Sequence, residues 1–194
     1  MPTPSGDSAF LGRRALVRAV ALLLASGRNV LLVGPTGVGK SAVIRAVASS
    51  ESMIVDPFER ISAQRAARIR RSMDRGVVWI GAAQTLDRGE LGQVGRIAWR
   101  FNAVRVPPLS EALMRRLTVT ACSRSGIRME LISESWLRAL LRLARGRPGS
   151  ALAIVEQSSR LWHAEHRLPP PATAYLEVAL QGREALTARK AERG

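Results

Sequence analysis

Leu16, Val20, Leu23 and Leu24 recur at helical spacing from about residue 13, while Arg14 and Arg18 fall on another face, and Gly27 ends the segment as a left-handed cap. Residues 29–33, Asn-Val-Leu-Leu-Val, then predict a strand apolar on both faces, as parallel strands are. A glycine loop is followed by a helix over 41–49 and a short strand over 53–55 that ends in Asp56. An arginine-bearing helix over about 62–75 is broken by Gly76; a third strand over 77–80, a polar, glycine-bearing stretch to Gly95 and a fourth strand near 103–106 come next. Pro107-Pro108 closes the α/β part. Beyond it residues 110–123, 133–145 and 149–163 all read as helix, and Leu137, Leu140, Leu141 and Ala144 make an apolar stripe on the second of these. Pro169-Pro-Pro171 reads as a rigid spacer before a last helix over 172–190. The predicted organisation is a loose leader over 1–9, an α/β core over 10–108, a helical lobe over 109–168 and a proline-initiated tail over 169–194.

Composition narrows the partners. The chain has 194 residues, 46% of them apolar, enough to bury a core without disulfide or metal staples. Its 30 Lys and Arg against 15 Asp and Glu give a formal charge of +15, which favours a polyanionic partner. All the basic residues but Lys40 and Lys190 are arginines, a bias that a GC-rich genome also produces. Cys122 alone excludes a disulfide framework, and with no Cys/His cluster for zinc the expected compartment is reducing and cytoplasmic. The apolar stretch over 19–25 is too short to cross a bilayer. It follows Arg13-Arg14, as in a twin-arginine export signal, but Arg18 and the strand and loop that come at once argue for a helix instead. His163 and His166 lack a carboxylate or cysteine cluster and read as surface residues, Trp136 and Trp162 as core packing, and Cys122 as a small buried apolar residue.

The strongest chemical signal is Gly34-Pro35-Thr36-Gly37-Val38-Gly39-Lys40-Ser41, which matches G-x-x-x-x-G-K-[ST] between a buried strand and a helix start. Its glycines let the backbone form a nest of N–H donors around phosphates, and the helix N-terminus adds partial positive charge. Lys40 is placed to neutralise the β and γ phosphates and Ser41 to ligate Mg²⁺, so the predicted ligand is ATP with magnesium.

With this loop in place, residues 10–165 resemble the AAA+ family of ATPases. Phe10-Leu-Gly-Arg-Arg14 is similar to the family's F-x-G-R-E box, with Arg14 where glutamate is usual. Met53-Ile-Val-Asp56 resembles a Walker B strand, which implies that Asp56 holds Mg²⁺ through water. Residues 77–84 resemble a sensor 1 strand, implying that Gln84 reaches toward the γ-phosphate. Trp99-Arg-Phe101 resembles the arginine-finger box, implying that Arg100 acts on a neighbouring subunit's nucleotide. Gly146-Arg-Pro-Gly-Ser150 resembles the sensor 2 turn, with Arg147 as substitute for an arginine where Gly149 stands. The implied fold is a P-loop parallel sheet with a C-terminal helical lid over the nucleotide. Lys40 and Asp56 lie too close for the strand and helix that normally separate them, so the sheet is expected to be one strand short of five. A competing alignment reads Ile80-Gly-Ala-Ala-Gln84 as a decayed Walker B and leaves too few residues for sensor 1. In the first alignment Pro57 stands where the resemblance places the water-polarising glutamate, leaving Glu59 as the nearest candidate and implying slow hydrolysis.

The helix over 62–75 sets Arg68, Arg71 and Arg75 opposite the stripe of Ala66, Ile69 and Met73, with Arg65 beside them. In assemblies similar to this family the segment after Walker B faces a central channel, and with the net charge this predicts non-specific phosphate contacts. Without an aromatic ladder for stacking single strands, duplex DNA is the expected form. The reading is thus an ATP-binding module that self-associates into a ring or helix on DNA. Two alternatives stand beside it: a nucleotide-gated scaffold for an acidic protein partner, and a degenerate subunit that holds ATP within a hetero-complex.

Overall fold

Four apolar residues in a row cannot keep one face in water, and β1 (Val30–Val33) is buried on both faces. The computed structural model describes residues 12–48, 52–91 and 94–191. The predicted leader and the Phe10 position of the box lie outside them. Two compact units are present, Met1–Pro107 and Pro108–Gly194. In the first, β2 (Met53–Val55), β3 (Trp79–Ala83) and β4 (Asn102–Arg105) join β1 in a parallel sheet of order β2-β3-β1-β4 among the described residues. Its four strands are one fewer than the five usual for the family, and β2, where Met53 and Ile54 are exposed, is an edge.

Alternation along β1 sorts the helices. Val30 and Leu32 pack with α1 (Arg14–Ala25) and α2 (Lys40–Val47) through Val20, Val43 and Ile44. Leu31 and Val33 face the other layer: Phe58 of a 3-10 turn (Phe58–Arg60), Ala66 and Ile69 of α3 (Ala63–Asp74), Leu91 of α4 (Arg88–Leu91) and Ile97 of α5 (Gly95–Ala98). The layering follows from handedness. The chain leaves β1 toward β2 and then turns back to β3, and parallel crossovers are right-handed, so opposite directions put α2 and α3 on opposite faces. The C-terminal ends of β1 and β3, where the direction reverses, form the crevice in which such sheets bind ligands. At the other end Asn29 ties three strands, accepting the Trp79 N–H on Oδ1 (2.8 Å) and the Asn102 N–H on its main-chain oxygen (2.8 Å).

The third strand differs from the sequence expectation. It runs from Trp79 to Ala83 rather than 77–80, because Gly81, Ala82 and Ala83 are buried sheet residues and not a turn. A side chain at Gly81 would crowd its neighbours: its Cβ would lie 3.0 Å from Val55 Cγ1 and 3.1 Å from Leu31 Cδ1, so both side chains would have to give. The polar stretch before Gly95 also contains α4, whose brevity and charge hide it from periodicity.

The second unit packs α6 (Glu111–Arg124), α7 (Glu134–Ala144), α8 (Pro148–Glu165) and α9 (Pro171–Ala191) around Met114, Cys122, Leu140, Ile154 and Ala174. Ser133 caps α7 by accepting the Trp136 N–H, and the α7 stripe read from sequence is the buried face. The triproline run is packed rather than a spacer: Pro169 and Pro171 are buried, and the Pro169 carbonyl accepts the Trp136 indole N–H at 2.8 Å. Cys122 is fully buried, which pushes its thiol up to about 11. Two hydroxyls, Thr118 Oγ1 and Ser158 Oγ, are buried with no hydrogen-bond partner. Removing both avoids their desolvation cost, so Thr118→Val with Ser158→Ala is expected to raise unfolding stability by about 1 kcal/mol, read from urea midpoints.

Candidate functional site

The loop between β1 and α2 leaves the sheet at Gly34, whose N–H donates to the Ala83 carbonyl of β3 (3.1 Å). A Cβ at Gly34 would sit 2.8 Å from the Val106 carbonyl oxygen, so only glycine lets the loop lie against the end of β4. Gly37 (φ 79°) and Gly39 (φ 103°) take left-handed conformations, the kind of backbone that forms anion-binding nests of amides. Lys40 opens α2 and folds its ammonium back over the loop, donating to Gly34 O (2.6 Å) and Pro35 O (3.1 Å). Burial holds the Lys40 ammonium below the usual lysine range, against the pull of the Glu59 and Asp56 carboxylates.

Acidic groups arrive from the neighbouring strands. Asp56 follows β2, and its Oδ2 accepts the Ser41 hydroxyl at 2.6 Å. Phe58, fully buried and set edge-on to Phe101 at 5.2 Å between ring centres, anchors the turn after Pro57. The turn brings Glu59 back to the sheet edge, where its carboxylate accepts the backbone N–H of Gln84, the residue after β3. Lys40, Ser41, Asp56, Glu59 and Gln84, dispersed in sequence, thus share the C-terminal edge of the sheet. The competing Walker B segment supplies no carboxylate there: residues 80–83 lie in the buried centre of β3.

Other predicted residues belong to other elements. Arg100 lies just before β4, at the N-terminal edge; it precedes Asn102, which pairs with Val30, and its carbonyl faces the Asn29 amide. At about 3.3 Å per residue it is roughly 15 Å or more along the sheet from its own phosphate loop. Its guanidinium pairs with Asp74 (2.5 Å) and lies 5.4 Å from the centre of the exposed Trp99 ring. Arg65, Arg68, Arg71 and Arg75 are exposed on α3 and its cap, with Arg68, Arg71 and Arg75 on the side away from buried Ala66 and Ile69 and Arg65 flanking them. Arg147 is the N-cap of α8 in the helical unit, with Nε 3.4 Å from Ala144 O. His163 and His166 are exposed, and among the described residues no cluster of three or more His, Cys, Asp or Glu could hold a metal. Sequence reading missed one contact to the loop: Arg13, named there only in the box and in the twin-arginine pair, reaches the Val38 carbonyl.

No family model matches the chain. Solved structures do. The Thermotoga maritima RuvB Holliday junction branch migration motor is 14% identical and superposes with a TM-score of 0.57 over 90% of this chain and 71% of that one. The Aeropyrum pernix Orc1 protein in complex with DNA is 16% identical with a TM-score of 0.66, covering 90% and 68%. Hsp104 of S. cerevisiae, in its casein complex, is 18% identical with a TM-score of 0.61, covering 81% and 38%. Motifs, strand order and these superpositions agree: this chain resembles the AAA+ ATPases and has their P-loop α/β fold with a C-terminal helical region.

Proposed function

We propose that this chain binds ATP with magnesium in the loop over 34–41, self-associates, and binds duplex DNA through the arginines of α3, hydrolysing ATP slowly or only with a partner. The observation that carries the reading is the meeting of Lys40, Ser41, Asp56, Glu59 and Gln84 at one sheet edge around a glycine cradle. The donor set fits the group: a loop held close to the sheet by Gly34 and turned by the positive φ of Gly37 and Gly39, a lysine over it, and a hydroxyl and carboxylate already in contact. Ser41 Oγ and the Asp56 carboxylate would hold magnesium, which neutralises phosphate charge when bound. Lys40 exchanges its contacts with the Gly34 and Pro35 carbonyls for phosphate oxygens. Glu59 takes the proton of the attacking water, and Gln84 orients the γ-phosphate from the adjacent strand end.

Arg100 lies too far along the sheet to serve its own loop, which suits a role on the nucleotide of the next copy; it must first leave Asp74. Two structural neighbours, a Holliday junction motor and an Orc1 bound to DNA, support nucleic acid as partner. Among the described residues no helix is long and apolar enough to cross a membrane. One observation favours a second reading, an ATP-holding subunit without turnover: the Glu59 carboxylate is engaged by the Gln84 N–H.

Glu59→Gln separates the two. If Glu59 is the base, single-turnover hydrolysis on duplex DNA falls about 100-fold while MgATP affinity is kept. Hydrolysis at the wild-type rate removes Glu59 from the chemistry, and no hydrolysis by the wild type under any condition favours the holding subunit.

A further inference from the structure

A nest for phosphate works only if the amides point inward, which requires the carbonyls of the same peptide units to point outward and find donors there. In a trans peptide the C=O and the following N–H point in opposite directions, so anchoring one aims the other. Val38 is fully buried, so its carbonyl needs a donor from within the protein. The donor that meets it is Arg13 Nη2, at 2.9 Å.

Arg13 is an unusual group to find there. It is only 7% exposed, and burial lowers its affinity for its proton. An arginine this buried is normally paired with a carboxylate, whereas the two partners described for Arg13 are main-chain carbonyls. The second is Pro107 O, which the same Nη2 reaches at 2.6 Å. Pro107 follows Val106, whose N–H donates to Val33 O (2.8 Å) and whose carbonyl lies against Gly34. The guanidinium is therefore fixed on one side by the end of the sheet and holds the loop on the other.

We infer that Arg13 is a positioning residue for the phosphate loop: by holding the Val38 carbonyl outward it sets the Val38–Gly39 peptide so that the Gly39 N–H faces the bound phosphate. The inference rests on the reading of residues 34–41 as a phosphate cradle. Arg13 also leaves a net positive charge just behind the loop, where a bound polyphosphate offsets the cost of burying it.

The test compares the full-length wild type with Arg13→Met, which fills similar volume without a donor, and Arg13→Lys, whose shorter arm does not span both carbonyls. MgATP, MgADP and inorganic triphosphate are titrated by calorimetry, with far-UV circular dichroism and melting to establish folding. Wild type binding all three is the baseline; if it binds none, the cradle reading fails and this inference with it. The expected result is about a tenfold or greater loss of affinity in folded Arg13→Met, equal for ATP and inorganic triphosphate because the defect is in the loop, with part recovered in Arg13→Lys. Wild-type affinity in folded Arg13→Met, or a loss confined to ATP, overturns the inference and leaves the cradle reading standing. Should Arg13→Met not fold, Arg13→Lys decides alone: threefold or greater weakening toward inorganic triphosphate supports the role, and unchanged affinity refutes it.

Discussion

Lys40→Ala is expected to weaken MgATP binding by about 100-fold or more while leaving the fold intact. The size follows from what the ammonium does. It is the cation poised over the loop, it already makes two hydrogen bonds there, and each charge-assisted hydrogen bond to a phosphate oxygen contributes about 1.5–3 kcal/mol. Two such bonds amount to roughly 3 kcal/mol or more, and every 1.4 kcal/mol is tenfold. The fold survives because, of the groups deprived of Lys40, Pro35 O is exposed and Gly34 O only half-buried, so water replaces the donor. Calorimetric titration of the variant, with melting in the absence of nucleotide, checks both halves. A variant that binds within threefold of wild type removes Lys40 from the phosphate site.

The second large effect is on DNA. Arg65, Arg68, Arg71 and Arg75 are exposed on one helix, and four phosphate contacts predict a slope of about −3.6 in log affinity against log salt. Between 50 and 200 mM salt that is a loss of roughly 100-fold. Replacing the four with glutamine is expected to abolish most of the slope and to weaken duplex binding alike for unrelated sequences. Net charge alone would also produce salt dependence in a chain of +15. The control is a charge-matched variant in the other unit, Arg128, Arg138, Arg142 and Arg145 to glutamine, all exposed. It is expected to keep most of the slope, and equal losses in the two variants would show that α3 is not the contact surface.

How far these features were legible depends on how local their causes are. The phosphate loop and β1 were readable because glycine spacing, an apolar run and a helix start lie within a dozen positions of one another. The short connection from Lys40 to Asp56 already implied a four-stranded sheet, since no further crossover fits. The end of β3 is hard to place because Gly81, Ala82 and Ala83 lack the β-branched and aromatic side chains that mark a strand, and the closeness of Val55 and Leu31 that suits a glycine there is a contact between distant residues. Glu59 was a candidate from its nearness to Asp56, but its return to the sheet edge depends on Phe58 meeting Phe101, a contact between distant residues. Arg13 was the least legible. In a chain with 30 basic residues nothing in the sequence separates a buried guanidinium bonded to carbonyls from one in water. The packed triproline run shows the same limit: proline marks a break in secondary structure and says nothing of whether a tryptophan waits to use its carbonyl.

The most direct test of the phosphate cradle is residue-resolved. In ¹⁵N–¹H spectra of the full-length chain titrated with MgADP, the amides of Gly37, Gly39, Lys40 and Ser41 are predicted to shift furthest and saturate together at one equivalent. Shifts confined to other residues, or none at concentrations that saturate ordinary nucleotide sites, would contradict the account.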